Sequence, residues 1–284
     1  MSAFLPVGKL PPALLADILT GAPSFDDRVK LGPGVGLDCA VVDAGASYWV
    51  IKAEPITFAT DQIGWYAVQV AGNDIATTGA VPRFILLTLL LPEGRTDEEL
   101  VRGIRDQIFS ACERQKISVL GGHTEVTHGI DRPLLAVTMI GEVARDQLVT
   151  PRGVRPGDIL LLTKGVPIEA TALLAREFPD RLRNHLTPQE IAYAADFLHQ
   201  PGISIARDAQ IAVNAGKVTA MHDPTEGGLS AALWEMAQAS GLDIFFEPEK
   251  VYTPDLAARI CGVFGLDPLA TIASGALLAA VDPK

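Results

Sequence analysis

Val70-Ala71-Gly72-Asn73-Asp74-Ile75-Ala76-Thr77-Thr78-Gly79-Ala80-Val81-Pro82 is the stretch on which the rest of the chain turns. It reads as the end of an amphipathic helix, closed by Gly79 with Pro82 soon after, the usual order of helix stop signals. Trp65, Val68 and Ala76 recur at helical spacing. Asn73 and Asp74 interrupt this apolar run. A carboxylate inside such a helix is costly to bury unless a cation or a donor meets it. Asp74 is therefore either a metal or nucleotide ligand aimed into a cleft, or part of a solvated polar face.

Outward from this helix the pattern mixes strands and helices. Cys39–Val42 and Tyr48–Lys52 read as strands joined by a Gly-containing turn, after a short helix at 9–20 with Leu14, Leu15, Ile18 and Leu19 on one face. Thr60 or Asp61 is placed to cap the central helix. Phe84–Leu91, between prolines, fits a buried strand. Thr96-Asp97-Glu98-Glu99 has the form of a capping box opening a helix to about Gln115. Ser118–Leu120 and Leu134–Val143 read as strands, the first ending in a Gly121-Gly122 loop. Pro151 to Asp158 is rich in Pro and Gly and marks a boundary between residues 1–153 and 154–284. Beyond it, strands at 159–163, 218–221 and 276–281 alternate irregularly with helices near 168–178, 203–215, 226–240 and 253–264 and with one that starts at Thr187-Pro188-Gln189-Glu190. Without strict βαβ alternation, two α+β domains are expected rather than one doubly wound sheet.

Four glycine-rich or acidic stretches stand out. Gly32-Pro33-Gly34-Val35-Gly36-Leu37-Asp38 precedes a strand instead of following one, so it fails as a dinucleotide fingerprint, and no P-loop motif occurs. It either delivers Asp38 to a metal or phosphate or is a flexible turn. Lys52-Ala53-Glu54-Pro55 ends the next strand. If the strands pair, Asp38 and Glu54 lie at one end, and with Asp74 they form a hard-oxygen set suited to Mg²⁺. Gly121-Gly122-His123-Thr124-Glu125 permits close backbone approach, and His123 and Thr124 offer donors to phosphate. A zinc reading of His123, Glu125 and His128 finds no further support. His222-Asp223-Pro224-Thr225-Glu226-Gly227-Gly228-Leu229 places Asp223, Thr225, Gly227 and Gly228 where a strand meets a helix N-terminus, an anion site or an ordinary cap.

Composition bounds the partners. The chain has 284 residues, 48% of them hydrophobic, with a mean hydropathy of +0.26 and room for two cores. Net charge is −11, which argues against nucleic-acid and anionic-membrane surfaces. Cys39, Cys112 and Cys261 form no C-x-x-C pair, so neither a disulfide framework nor a zinc site is indicated. A reducing cytoplasm fits this usage. Pro6, Pro11, Pro12 and Asp17 break any secretory leader, and no apolar run is long enough to span a bilayer as a helix.

Taken in order, these motifs resemble the aminoimidazole ribonucleotide (AIR) synthetase superfamily, which includes HypE, thiamine-monophosphate kinase and selenophosphate synthetase. Asn73-Asp74-Ile75-Ala76 with Gly79-Ala80-Val81-Pro82 is similar to its N-D-[LI]-A-x-x-G-A-x-P motif. His222 to Leu229 resembles the [RH]-D-P-T-R-G-G-L form of the HypE-like branch. Gly36-Leu37-Asp38-Cys39-Ala40 resembles G-D-D-A-A, and Gly121-Gly122-His123-Thr124 the G-G-x-T stretch.

The resemblance implies an N-terminal domain that closes a β-barrel with a second copy in a homodimer, a C-terminal α+β domain, and a site for ATP and Mg²⁺. It assigns metal binding to Asp38, Glu54 and Asp74 and catalytic roles to Asp74 and Asp223. Nucleotide contacts fall to Asp38, Lys52, Asn73, Asp74, Gly121, Gly122, His123, Thr124, Thr225, Gly227 and Gly228. The activity implied is HypE-like phosphorylation of an amide- or acid-type oxygen on a small molecule or carrier protein. The alternatives are a small-molecule kinase of the thiamine-monophosphate type and a nucleotide-binding assembly protein without turnover. Leu37 and Glu226 depart from the family's Asp and Arg, so binding is expected to outlast turnover. The chain ends at Lys284 soon after its last strand, where relatives continue, so the second domain is expected to be incomplete.

Overall fold

The computed structural model describes all residues except Met1, Ser2, Ala3, Pro6, Phe58 and Thr60. Helix α1 (Pro12–Leu19) precedes strands β1 (Val29–Leu31), β2 (Ala40–Asp43) and β3 (Ser47–Ile56). Then come α2 (Ile63–Thr77), β4 (Val81–Pro92), α3 (Glu98–Gln115), β5 (Ser118–Thr127) and β6 (Leu134–Ala144). The second half comprises β7 (Ile159–Leu162), α4 (Ile168–Glu177), α5 (Pro179–Leu182), α6 (Pro188–Ala195), α7 (Ala206–Ala215), β8 (Val218–His222), α8 (Gly228–Ser240), α9 (Asp255–Phe264) and β9 (Leu278–Val281). The first half forms one six-stranded sheet, β1-β2-β3-β6-β4-β5, and the second a three-stranded antiparallel sheet, β7-β9-β8. This is a two-domain mixed α/β arrangement. The first sheet is open, and no closed barrel exists among the described residues. The first sheet takes its last strand from β6 and the second its first from β7.

Helix α2 is the keystone. All fifteen of its residues are buried, so its sequence shows little polar stripe. Ile75 packs on Gly141 of β6 so closely that any side chain at 141 would collide with it. Gly64 likewise lets α2 cross α3, where a Cβ would lie 2.7 Å from the Ile104 carbonyl. Asn73 ties the helix to the second half. Its Nδ2 donates to the Ile203 carbonyl at 2.8 Å, and its Oδ1 accepts from the Ile205 N–H at 2.9 Å. One sheet face is covered by α2 and α3. The other leaves Trp49, Phe84 and Leu86 exposed.

Several expected boundaries move, for local reasons. Strand β3 runs on to Ile56, so Lys52 and Glu54 lie inside it and not at its end. Strand β5 does not stop at Leu120. Opposite the bulge between Ile85 and Leu86 it continues through Gly121 and Gly122 to Thr127. The two glycines hold φ of +139° and +149°, and a Cβ on Gly122 would strike the Leu87 carbonyl. They serve strand pairing, not a loop. The α3 N-cap is Asp97, which accepts from the Leu100 N–H at 2.8 Å, while Thr96 turns back to the Pro92 carbonyl. The cap expected at Thr60 lies outside the described residues. Asp61 does not cap either: Gln62 holds the N-cap position and Asp61 pairs with Arg176. Helix α1 buries none of its residues. The Thr187–Glu190 capping box of α6 forms in full.

Candidate functional site

The two-residue period of β3 puts Val50, Lys52, Glu54 and Ile56 on the face that α2 covers. Asp74 meets them from the helix. Lys52 Nζ lies 3.0 Å from Asp74 Oδ2, 3.1 Å from Glu54 Oε2 and 4.0 Å from Asp38 Oδ1. Burial works against the ammonium charge, but Asp74, Asp38 and Glu54 together raise its proton affinity well above the ordinary lysine value. Burial likewise pushes the Asp74 carboxyl up against the pull of Lys52, and Asp38 and Glu54 add to the rise. Cys39 sits beneath the cluster and donates its thiol to the Asp74 carbonyl at 3.4 Å. All three cysteines are buried free thiols.

The second half supplies the other wall. Strand β8 ends at His222, and Asp223 follows it into the interior. His222 Nε2 stands 3.0 Å from Glu235 Oε2 of α8 and 3.9 Å from Asp38 Oδ2, while Nδ1 faces the Asp223 carbonyl at 3.1 Å. Burial opposes the imidazolium, yet Glu235 and Asp38 leave its pKa raised. Asp223 is only 1% exposed, and neither of its carboxylate oxygens has a hydrogen-bond partner among the described residues. Burial, with the charges of Asp74 and Asp38, holds its carboxyl well above the ordinary range. Ligand atoms of Asp38, His222 and Asp223 all lie within 4.8 Å of one another. An orphaned, fully buried carboxylate facing a second carboxylate is the arrangement a hard divalent cation relieves. The residues therefore fit Mg²⁺ through Asp38 and Asp223.

Of the expected metal set, Glu54 and Asp74 pair with Lys52, and the group that converges on Asp38 contains His222 and Asp223. Asp38, Lys52, Glu54, Asp74 and Asp223 are brought together in the cleft, while Gly122 and His123 share a separate pocket with Glu54. Both ends of the Asn73 amide are engaged by backbone, so its role here is to join the domains. Gly121, Gly122, His123 and Thr124 lie in the exposed edge strand β5, where His123 pairs with Glu125 at 3.1 Å. Glu54 opposes Val137, Val137 opposes Leu87 and Leu87 opposes Gly122. Gly122 is thus three strand spacings, about 14 Å, from Glu54. Gly227 and Gly228 adopt φ of +83° and +63°, and a Cβ on Gly228 would lie 2.6 Å from the Leu269 carbonyl. Gly228 N–H donates to Thr225 and Ser230 N–H to Leu269, so the start of α8 is largely satisfied from within. Close approach of the Leu269 carbonyl requires a glycine at 228. Thr225 lies at the margin of the cleft, partly exposed.

Sequence reasoning quoted His222 within its motif without selecting it, and missed Glu235, Lys9, Tyr66 and Glu169. Glu235 lies in an ordinary amphipathic helix. Lys9 reaches Glu226 and Glu235 at 3.6 and 3.7 Å from a segment with no periodicity. Glu169 could have been noticed as an acid inside the otherwise apolar Ile168–Leu174 stretch.

The pattern described as AIR synthase related protein, N-terminal domain, matches residues 36–143, and its C-terminal counterpart matches residues 155–284. The chain belongs to the AIR synthase related family. A putative hydrogenase expression/formation protein of Methanocaldococcus jannaschii is 29% identical over 96% of this chain and 80% of its own length. The carbamoyl dehydratase HypE of Rhizobium leguminosarum bv. viciae is 27% identical over 81% of this chain, which spans only 63% of that relative. The crystal structure of hydrogenase maturation protein HypE in complex with ATP has the same fold, with a TM-score of 0.70 at 23% identity over 95% of this chain and 73% of that one. This AIR synthase related chain is thus HypE-like in sequence and fold. Among its described residues no helix is long and apolar enough to cross a membrane.

Proposed function

We propose that this chain binds ATP with Mg²⁺ in the cleft between its two halves and phosphorylates an oxygen of a small molecule or carrier protein, in the manner of the HypE-like branch. The observation that carries this reading is Asp223, a buried carboxylate with two unpartnered oxygens beside Asp38 and His222. The ATP-bound HypE of the same fold supports the choice of nucleotide. When bound, magnesium would draw phosphate oxygens to the acidic cleft and spread their charge. Asp38 and Asp223 would hold it. Lys52 fixes Asp74 and Glu54 at the margin of the metal site, and Glu235 holds the His222 ring in one orientation. Calorimetry with ATP, with and without Mg²⁺, tests the binding; a phosphate-release assay with candidate acceptors tests the transfer. Affinity that is indifferent to Mg²⁺ would sink the metal-bridged reading.

The same reading includes a homodimer. The uncovered sheet face with Trp49, Phe84 and Leu86, and the exposed β5 edge with Val119 and Leu120, offer apolar surface and unpaired backbone for a second copy. Light scattering is expected to give twice the 30.1 kDa chain mass, and Leu86→Glu to shift it toward the monomer.

A further inference from the structure

A cavity of about 290 Å³ opens beside the carboxylate cleft and shares Glu54 with it. Its body is apolar, with Ile56, Val70, Leu173 and Ile272 among its walls. Its ionisable groups are all acidic or phenolic: Glu54, Glu169, Glu226 and Tyr66. Among the described residues no Lys, Arg or His lines it. Two of the acids already have cations, Glu54 with Lys52 at 3.1 Å and Glu226 with Lys9 at 3.6 Å. Glu169 has none among the described residues. It is 6% exposed and accepts from the Ser274 N–H at 3.2 Å. The Tyr66 hydroxyl is buried and has no hydrogen-bond partner among the described residues.

An apolar chamber with a buried carboxyl lacking a counter-ion, and a hydroxyl lacking a partner, is complementary to a donor-rich cation with an apolar body. An anion would meet three carboxyls there and no basic side chain among the lining residues. We propose that this cavity is the acceptor-side pocket of the cleft, and that it takes a small molecule whose apolar body carries a protonated amine or amidine, with Glu169 and Tyr66 receiving the nitrogen head. The assignment of the pocket to the acceptor rests on the nucleotide reading of the adjoining cleft; the ligand class does not. Burial raises the Glu169 carboxyl to about 7, the behaviour of an acid whose cation the chain does not itself provide.

Three probes of one shape separate the charge states: benzamidine, benzamide and benzoate, titrated onto the full chain by ligand-observed NMR and calorimetry. Benzamidine is expected to bind, benzamide about tenfold more weakly, and benzoate not measurably, since the charge-assisted bond exists only in the first pair. Glu169→Gln should weaken benzamidine by about tenfold or more, and Tyr66→Phe by about two- to fivefold. Both variants should keep the far-ultraviolet circular dichroism and the Mg-ATP affinity of the parent chain. Benzoate binding as well as benzamidine, no probe binding at all, or benzamidine affinity unmoved in Glu169→Gln would each overturn the proposal. If benzamidine binds and responds to Glu169→Gln while Mg-ATP does not bind the parent chain, the ligand class stands and the nucleotide reading fails.

Discussion

Asp74 and Asp223 are two aspartates of equal burial that meet opposite fates. Asp74 is 4% exposed and Asp223 1%. Each sits in a motif that also contains glycines, and each contributes to the same acidic cleft. Asp74 is met by Lys52 at 3.0 Å. The carboxylate oxygens of Asp223 have no hydrogen-bond partner among the described residues, and burial with the charges of Asp74 and Asp38 outweighs the pull of Lys52. The chain thus supplies a cation in direct contact with one carboxylate and none in direct contact with the other among the described residues; on the proposed reading, Mg²⁺ meets the second. A buried charge does not by itself say which role it has; the presence or absence of a built-in counter-ion does.

The largest test removes that built-in cation. Lys52→Met leaves Asp74, Glu54 and Asp38 without their common partner. Breaking a buried pair by deleting one member costs about 3–5 kcal/mol, so urea denaturation should show a loss of that size. A loss under about 1 kcal/mol would mean that Asp74 copes without Lys52, and the contrast with Asp223 would collapse.

Glu169 is the intermediate case, a buried acid held by a backbone N–H instead of a cation. Its carboxyl titrates at about 7 in the fold, against an ordinary 4.5. A raised acid binds its proton more tightly folded than unfolded. Its full stability is therefore present below about pH 4.5 and is lost as pH rises toward 7, by roughly 3 kcal/mol at most. Glu169→Gln has no such proton to lose. Between about pH 5 and about pH 8 the parent chain should lose more stability than the variant in denaturant titrations. Parallel pH curves would show that Glu169 is solvated or paired after all.

Asp223 gives a third test, with a different signature. Asp223→Asn removes an uncompensated charge, so stability without metal should stay level or rise. Mg-ATP affinity should fall by about 10- to 100-fold, the range of one charge-assisted contact. Asp74→Asn should invert the pattern, lowering stability by leaving Lys52 with one acid fewer and disturbing Mg-ATP less. Calorimetry and thermal melting with and without Mg²⁺ on both variants decide the matter. Two variants with the same signature would erase the distinction between the aspartates.

How far the sequence revealed this site follows the same physics. The mixed two-domain architecture was legible, because strand and helix periods and the Pro/Gly boundary are local signals. Asp38, Glu54, Asp74 and Asp223 were legible as carboxylates in unusual surroundings. Which of them share a lysine was not, since Lys52 reaches Asp74 only through the pairing of β3 with β6 and the packing of α2 over both. The packing of the glycine motifs was hidden for a related reason. A Cβ on Gly122 or Gly228 would meet the carbonyl of Leu87 or Leu269, contacts remote in sequence that no local pattern shows. Asn73 looked like a ligand for its place beside Asp74, whereas its amide joins the two halves through Ile203 and Ile205.

The smallest effect belongs to Lys9, the exposed counterpart of Lys52. It too stands between carboxylates, 3.6 Å from Glu226 and 3.7 Å from Glu235, yet its side chain is 54% exposed where that of Lys52 is 13% exposed. Water screens the outer group and makes little demand for a partner. Exposed pairs of this kind contribute about 0–1 kcal/mol, and salt weakens them further. Lys9→Met should therefore lower stability by less than about 1 kcal/mol at low ionic strength, and the difference should vanish near 1 M salt. Because Lys9 is the one cation paired with Glu226 among the described residues, the same variant should also leave that acid freer beside the cavity and tighten benzamidine about two- to threefold. A loss near that of Lys52→Met, persisting in high salt, would mean that the N-terminal segment is as integral to the cleft as β3. The rule that the value of a charge follows its burial would then fail in the molecule that suggested it.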